Sequence, residues 1–293
     1  MANRSAGCDA GGNALPDGQM EAFRALVWRE GRSHWRELPW RGIDDDYAVL
    51  VSEVMLQQTQ VSRVDGYWQR FLRHFPTIDA LAAADSAMVL ELWQGLGYNR
   101  RALMLKRCAE ECSARHGGCL PGSYGELVAL PGIGPTTAAG VLAFARNTPC
   151  VYLETNVRSV FLHHFFPDAQ KVPDRLLVPL VQAACPPKDV RAWYYALLDY
   201  GAYLKTTVPN PSRRSSSYAR QSAFEGSRRQ KRSEIVRLVL GSPGIDIATL
   251  HEALNRAEEA AGRVPVTAEV FAGIVDDLVS EGFFRLQEER CMP

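Results

Sequence analysis

No long hydrophobic run exists in this chain of 293 residues. Its longest apolar stretches, near residues 138–145 and 176–185, fall well short of the roughly 20 residues a membrane-spanning helix needs. No basic start leads into an apolar segment, so no secretory leader and no membrane partner are expected, and the reading is cytoplasmic. Cysteine is sparse: seven, an odd number spread over nearly the whole length, which is not a disulfide framework. Net charge is lacking too, with 33 Lys and Arg against 33 Asp and Glu, so overall charge nominates no partner. Alternating strand patterns are nearly absent before the C-terminus, which leaves a mainly α fold.

What is present is a folded composition, 46% hydrophobic and 23% charged, which excludes wholesale disorder, collagen and coiled coil. The charge is unevenly placed. From Lys205 to Arg232 eight basic residues meet one acid, Glu225, so a neutral total conceals one basic strip. Arg213, Arg214, Arg220, Arg228 and Arg229 lie in it beside Tyr218 and Phe224, a composition suited to phosphate binding.

Residues 1–18, rich in Gly, Ala and Asn without apolar period, are expected to be disordered. Helical patterns follow from Met20. One spans Arg100 to Arg115 and stops at Gly117-Gly118, and apolar helices are expected over 157–166 and 191–204. Pro209 to Ser217 reads as a linker. Beyond it, residues 233–293 form a separate unit of three helices and a hairpin, the outline of a winged helix.

Two segments carry chemistry. Leu130-Pro131-Gly132-Ile133-Gly134-Pro135-Thr136-Thr137-Ala138 places two glycines in a short turn between helices, where bare backbone approaches another molecule closely. The free N–H groups at the start of the second helix suit a phosphate, held without reading sequence. The plainer reading of this pattern is an ordinary inter-helix turn. Glu53, in Ser52-Glu53-Val54-Met55-Leu56-Gln57-Gln58-Thr59-Gln60, adjoins apolar positions that raise a carboxyl pKa toward general-acid use. Gln57, Gln58 and Thr59 offer neutral donors and acceptors for base edges; the alternative is a polar helix surface.

Taken with Leu38-Pro39-Trp40-Arg41, Gly95-Leu96-Gly97-Tyr98, His116-Gly117-Gly118, Asn156-Val157-Arg158 and Asp199-Tyr200-Gly201-Ala202, these segments resemble the helix–hairpin–helix base-excision DNA glycosylases. Within them the resemblance is to adenine DNA glycosylases of the MutY type, in matching order from about Trp35 to Leu204. The resemblance implies a two-lobed helical fold with a cleft that receives an extruded base, since the glycosidic bond is inaccessible inside a duplex. Glu53 matches the acid that protonates the departing adenine. Gln58 and Tyr98 match residues that wedge into the base stack, while Trp40, Gln57 and Asn156 match positions around the extruded base. Gly132, Gly134, Thr136 and Thr137 belong to the phosphate-holding hairpin, whose carbonyls in the family often coordinate a monovalent cation. The implied partner is double-stranded DNA with a damaged or mispaired base, bound by a monomer.

The chain departs from the family at four places. The catalytic aspartate is here Glu154, which keeps the charge that stabilises an oxocarbenium-like sugar but is one methylene longer. Thr136 stands where bifunctional relatives carry a lysine nucleophile, so imine chemistry lacks its amine and a monofunctional enzyme is expected. Lys205 stands where the first cysteine of the iron–sulfur loop belongs, and no cysteine occurs between Cys185 and Cys291, so no cluster is expected. Asn99-Arg100 replaces the usual residues after Tyr98, which leaves hypoxanthine, uracil or mismatched thymine as alternatives to adenine opposite 8-oxoguanine or G. Two other readings stay open: a DNA-structure binding protein without catalysis, and a DNA-binding regulator built on residues 233–293. Zinc at Cys108, Cys112, His116 and Cys119 is weighed against an ordinary helix with buried thiols. His163, His164 and Asp199 are read as structural. The expected division is 19–45 with 151–204, 46–150, the Arg-rich segment 205–232, and 233–293.

Overall fold

The computed structural model describes residues 17–293. The segment 1–18 expected to be disordered lies outside the described residues but for its last two. The chain runs α1 (Asp17–Ser33), α2 (Asp46–Leu56), α3 (Val61–His74), α4 (Ile78–Ala83), α5 (Ser86–Trp93), α6 (Arg100–His116), α7 (Tyr124–Ala129) and α8 (Pro135–Gly140). It continues through α9 (Thr155–Phe165), α10 (Asp174–Ala184), α11 (Val190–Thr207) and α12 (Arg228–Gly241). Then come β1 (Ile245–Asp246), α13 (Ile247–Ala260), α14 (Ala268–Glu281), β2 (Arg285–Gln287) and β3 (Arg290–Met292). The fold is mainly α, and among the described residues no helix is long and apolar enough to cross a membrane.

Local chemistry sets these boundaries. Gly117 ends α6 in the left-handed region at φ 60°, where a Cβ is costly. Ser123 and Glu126 form a reciprocal capping box that starts α7. Pro135 opens α8, whose missing N–H costs nothing at a first helical position.

Two compact units result: one from residues up to Arg36 with Leu153–Ser217, the other from Glu37–Tyr152 with Tyr218–Pro293. In the first, α1 and α9–α11 bury Phe23, Val27, Phe161, Trp193 and Leu197, with Phe23 packed 5.1 Å from the Phe161 ring. Asp199 is 1% exposed and holds Arg36 through its Oδ1 at 2.5 Å, a structural ion pair. The His164 Nε2 meets the Tyr200 hydroxyl at 2.8 Å, and burial lowers that imidazole's pKa to about 4, so it is neutral at pH 7.

This unit reaches further than the break at 204 suggests. The stretch after α11 is a short 3₁₀ turn over Pro211–Arg214, capped by the Asn210 side chain. Val172 then exchanges backbone hydrogen bonds with Arg214 and Ser216 at 2.8 and 2.9 Å, which ties the presumed linker down.

In the second unit α2 is apolar on nearly every side, and its Val51 and Met55 share one buried core with Trp68, Phe71, Trp93 and Leu105. Residues 233–293 have the expected three helices and an antiparallel sheet of order β1-β3-β2, with Cys291 opposite Ile245 and Leu286. Their core is nevertheless continuous with that of α2–α8 rather than separate. The Arg107 Nη2 donates to the Glu281 carbonyl at 3.2 Å across that junction.

Candidate active site

The hairpin places its glycines differently. Gly132 has φ 74° and is exposed, and a Cβ there would meet the Met104 side chain on α6, so only glycine allows this close approach. Gly134 has open space around it and caps α8, and Thr136 is exposed in the first turn of that helix. Thr137, grouped with it as a DNA contact, is buried; its Oγ1 accepts from the Gln57 Nε2 at 3.0 Å. Its side chain is therefore a support for Gln57 and not a surface.

Glu53 is half-buried on α2. Its carboxylate lies against Gly140, the last residue of α8, where a Cβ would overlap it. The helix that begins at the hairpin thus ends bare of side chain where the carboxylate sits, and then widens into a π-helical turn over Val141–Ala145. Gly140 was not singled out by sequence; it lies inside an apolar helical run and carries no local mark. Trp40 is 6% exposed and packs edge-on to Trp68, 6.2 Å between ring centres, so its face is used in the core.

Gln58 and Tyr98 both have positive φ, 55° and 49°, a strained state for non-glycine residues that is held only by over-determined surroundings. Arg101, which sequence reasoning missed, supplies them. Its Nη1 donates to the carbonyls of Val54, Met55 and Gln57 at 2.7, 2.9 and 2.6 Å. Its Nη2 donates to the Thr59 Oγ1 and the Gly97 carbonyl at 3.0 and 2.8 Å. One guanidinium thus pins the loops carrying both residues. Burial lowers its pKa to about 10, which leaves it charged at neutral pH. From the C-terminal side, Arg229 and Gln221 both donate to the Tyr98 hydroxyl, and the Arg229 guanidinium stacks 5.0 Å over the Tyr98 ring. Gln57, Gln58, Tyr98, Gly132 and Arg229 line one cavity of about 620 Å³.

In the other unit, Glu154 caps α9, its Oε1 accepting from the Asn156 and Val157 backbone N–H groups, the latter at 2.9 Å. Burial raises its pKa above the ordinary glutamate value, opposed by those two bonds and by the Lys205 and Arg158 cations. The Asn156 side chain lies beside the carboxylate, and its Oδ1 accepts from the Lys205 Nζ at 2.7 Å.

The Arg-rich segment is not one strip. Arg214 donates to the carbonyls of Pro167 and Leu162 at 2.5 and 3.1 Å, closing the end of α9. Arg228 pairs with Asp277 at 2.6 Å, Arg232 with Glu281 at 2.9 Å and Lys231 with Glu258 at 3.3 Å. Arg213 and Arg220 are exposed. Among the described residues no group of three or more His, Cys, Asp or Glu is placed to hold a metal ion, and Cys108 and Cys112 are buried while Cys119 is exposed.

Residues 51–179 match the family model described as HhH-GPD superfamily base excision DNA repair protein. The chain is similar to the adenine DNA glycosylase of Mycobacterium tuberculosis, 44% identical over 46% of this chain and 44% of that one. It is also similar to those of Mycolicibacterium smegmatis, 38% identical over 58% of this chain and 59% of the relative, and of Buchnera aphidicola subsp. Baizongia pistaciae, 34% identical over 58% and 48%. The chain thus spans about half the length of the curated relatives it matches. A thermostable thymine-DNA glycosylase shares the fold with TM-score 0.57 at 21% identity, covering 64% of this chain and 87% of that one. An endonuclease III–DNA covalent intermediate does so with TM-score 0.56 at 19% identity, over 65% and 88%. Over residues 51–179, therefore, this chain carries a domain of the HhH-GPD superfamily of base excision DNA repair proteins.

Proposed function

We propose that this chain is a monofunctional DNA glycosylase that removes adenine opposite 8-oxoguanine or guanine from duplex DNA. The observation that carries the reading is the Glu53 carboxylate lodged against Gly140, at the end of the helix that opens at the hairpin. An acid built against an element suited to holding phosphate couples DNA grip to proton delivery.

In this reading the hairpin backbone at Gly132 and Gly134, with Thr136, holds one phosphate stretch, and exposed Arg213 and Arg220 add charge. Gln58 and Tyr98, kept in their strained conformations by Arg101, enter the stack as the adenine turns out. Glu53 delivers a proton to the base as the glycosidic bond breaks, so that the base leaves neutral. The ionised Glu154 stabilises the sugar cation and orients the attacking water. Thr136 offers no amine, and the Lys205 amine is occupied by Asn156, so hydrolysis ends at an intact abasic site.

The residues after Ala202 do not fit a four-thiolate cluster. Lys205 takes the first ligand's place with its amine turned to Asn156, and the next cysteine, Cys291, is buried in the terminal sheet of the other unit. Strand cleavage of an adenine:8-oxoguanine duplex that requires added alkali, with free adenine recovered, tests the reading; cleavage without alkali or no adenine would overturn it.

A further inference from the structure

Lys205 is more than a missing cysteine. It lies one helical turn beyond Gly201 on α11, and residues four apart share a helix face. At Gly201 a Cβ would overlap the Asn156 backbone carbonyl, so bare backbone lets α11 close on the start of α9. One turn on, the Lys205 Nζ reaches the Asn156 Oδ1 at 2.7 Å. An ammonium only donates, so it dictates which end of the Asn156 amide faces it and turns the Nδ2 toward the Glu154 Oε2, 3.4 Å away. The other carboxylate oxygen is held by the backbone at the head of α9.

The neighbouring cations are otherwise engaged. Arg158, on α9 itself, is bound at two points by Asp174 of α10, at 2.9 and 2.7 Å. Arg36 is bound by the buried Asp199 of α11. Among the described residues Lys205 has no carboxylate bonded to it, and Glu154 is the acid its bonds lead to.

We propose that Lys205 is the positioning residue of Glu154: acting through Asn156, it orients the carboxylate and sets its positive charge beside it. This inference rests on the reading of Glu154 as the group that stabilises the sugar cation. It gives the position where the family's first cluster cysteine belongs a supporting task, exercised through Asn156 on Glu154.

The test uses the full chain as wild type, Lys205→Met, Lys205→Gln, Lys205→Arg and Glu154→Gln. Two readouts run in parallel: single-turnover base release from an adenine:8-oxoguanine duplex across pH, and the carboxyl ¹³C titration of Glu154, identified by the signal that Glu154→Gln removes. Losing the cation should raise the pH at which Glu154 titrates and carry the acidic limb of the rate profile the same way. Base release by Lys205→Met should fall roughly tenfold at the acidic end, the equivalent of one pKa unit, and approach wild type at the alkaline end. Lys205→Arg, which keeps the charge, should stay near wild type in both readouts; Lys205→Gln serves if the Met variant does not fold. An unmoved Glu154 titration in a folded Lys205→Met or Lys205→Gln protein overturns the proposal. A loss equal at every pH together with weaker duplex binding also overturns it, making Lys205 a phosphate contact. Base release by Glu154→Gln at the wild-type rate would instead remove the catalytic reading of Glu154, whichever way the titration moves.

Discussion

Replacing Arg101 by methionine should loosen the two loops that carry Gln58 and Tyr98 without dissolving the fold. Five of the guanidinium's hydrogen bonds are 3.0 Å or shorter, to Val54, Met55, Gln57, Thr59 and Gly97. Each charge-assisted bond is worth about 1.5–3 kcal/mol net, so a plain sum would approach the whole stability of an ordinary domain, about 5–15 kcal/mol. The site is only part-buried, and water replaces much of what is lost. The expected cost is about 3 kcal/mol, two such bonds rather than five. In urea that is a fall in midpoint of roughly 1 M or more. Amide exchange should speed up over residues 57–60 and 95–98 and stay unchanged in α9–α11. Base release should fall about a hundredfold, because misplacing a positioned group by a small distance costs that much. Arg101→Lys, with three donors on one nitrogen, should recover part of the stability and little of the rate. A Met variant within about 0.5 kcal/mol of wild type, as at an ordinary surface site, would refute the pinning role.

Gly140→Ala pushes a methyl into the Glu53 carboxylate. Base release should drop about a hundredfold, while stability in urea changes by less than about 1 kcal/mol, because the side chain can swing away and alanine suits a helix. Burial raises the Glu154 pKa, so the folded chain keeps its proton over a pH window in which the unfolded chain has lost it, and the ionised carboxylate costs stability above that window. Glu154→Gln should therefore gain stability over wild type as pH rises through the window, and thermal melts should show the gap closing toward acid. Arg213→Ala and Arg220→Ala should each weaken duplex binding evenly across sequences and lower the slope of log affinity against log salt by about one, read by fluorescence anisotropy. An absorbance spectrum of the protein as isolated should lack the broad band near roughly 400 nm of a thiolate-bound iron–sulfur cluster.

The parts legible in sequence were those whose cause is local. The hairpin announces itself because Gly132 and Gly134 stand three and one residues before Pro135-Thr136, where a turn needs bare backbone and a helix needs a start. The α6 stop at Gly117 and the three-helix C-terminal region follow for the same reason. What escaped depends on residues distant in sequence. Arg101 acts on carbonyls more than forty residues earlier, and an arginine in a helix gives no sign of that. The acids that neutralise much of the Arg-rich segment, Glu258, Asp277 and Glu281, come 27 to 49 residues after their partners, so a local charge count overstated the free charge. Thr137 reads like Thr136 in a motif, yet α8 turns the two to opposite environments. Pro209 to Ser217 has a linker's composition and becomes part of a unit through two backbone hydrogen bonds with Val172.

In the proposed reaction two carboxylates, Glu53 and Glu154, divide the work of breaking a glycosidic bond. Single-turnover release measured on duplexes holding adenine opposite 8-oxoguanine, adenine opposite G, hypoxanthine, uracil and T opposite G, each with and without alkali, tests it for wild type, Glu53→Gln and Glu154→Gln. Wild type should release adenine from the 8-oxoguanine or G duplex, with strand cleavage only after alkali, and both variants should lose that release. Firm binding of every duplex with no base released by wild type would contradict it and leave a DNA-structure binding protein.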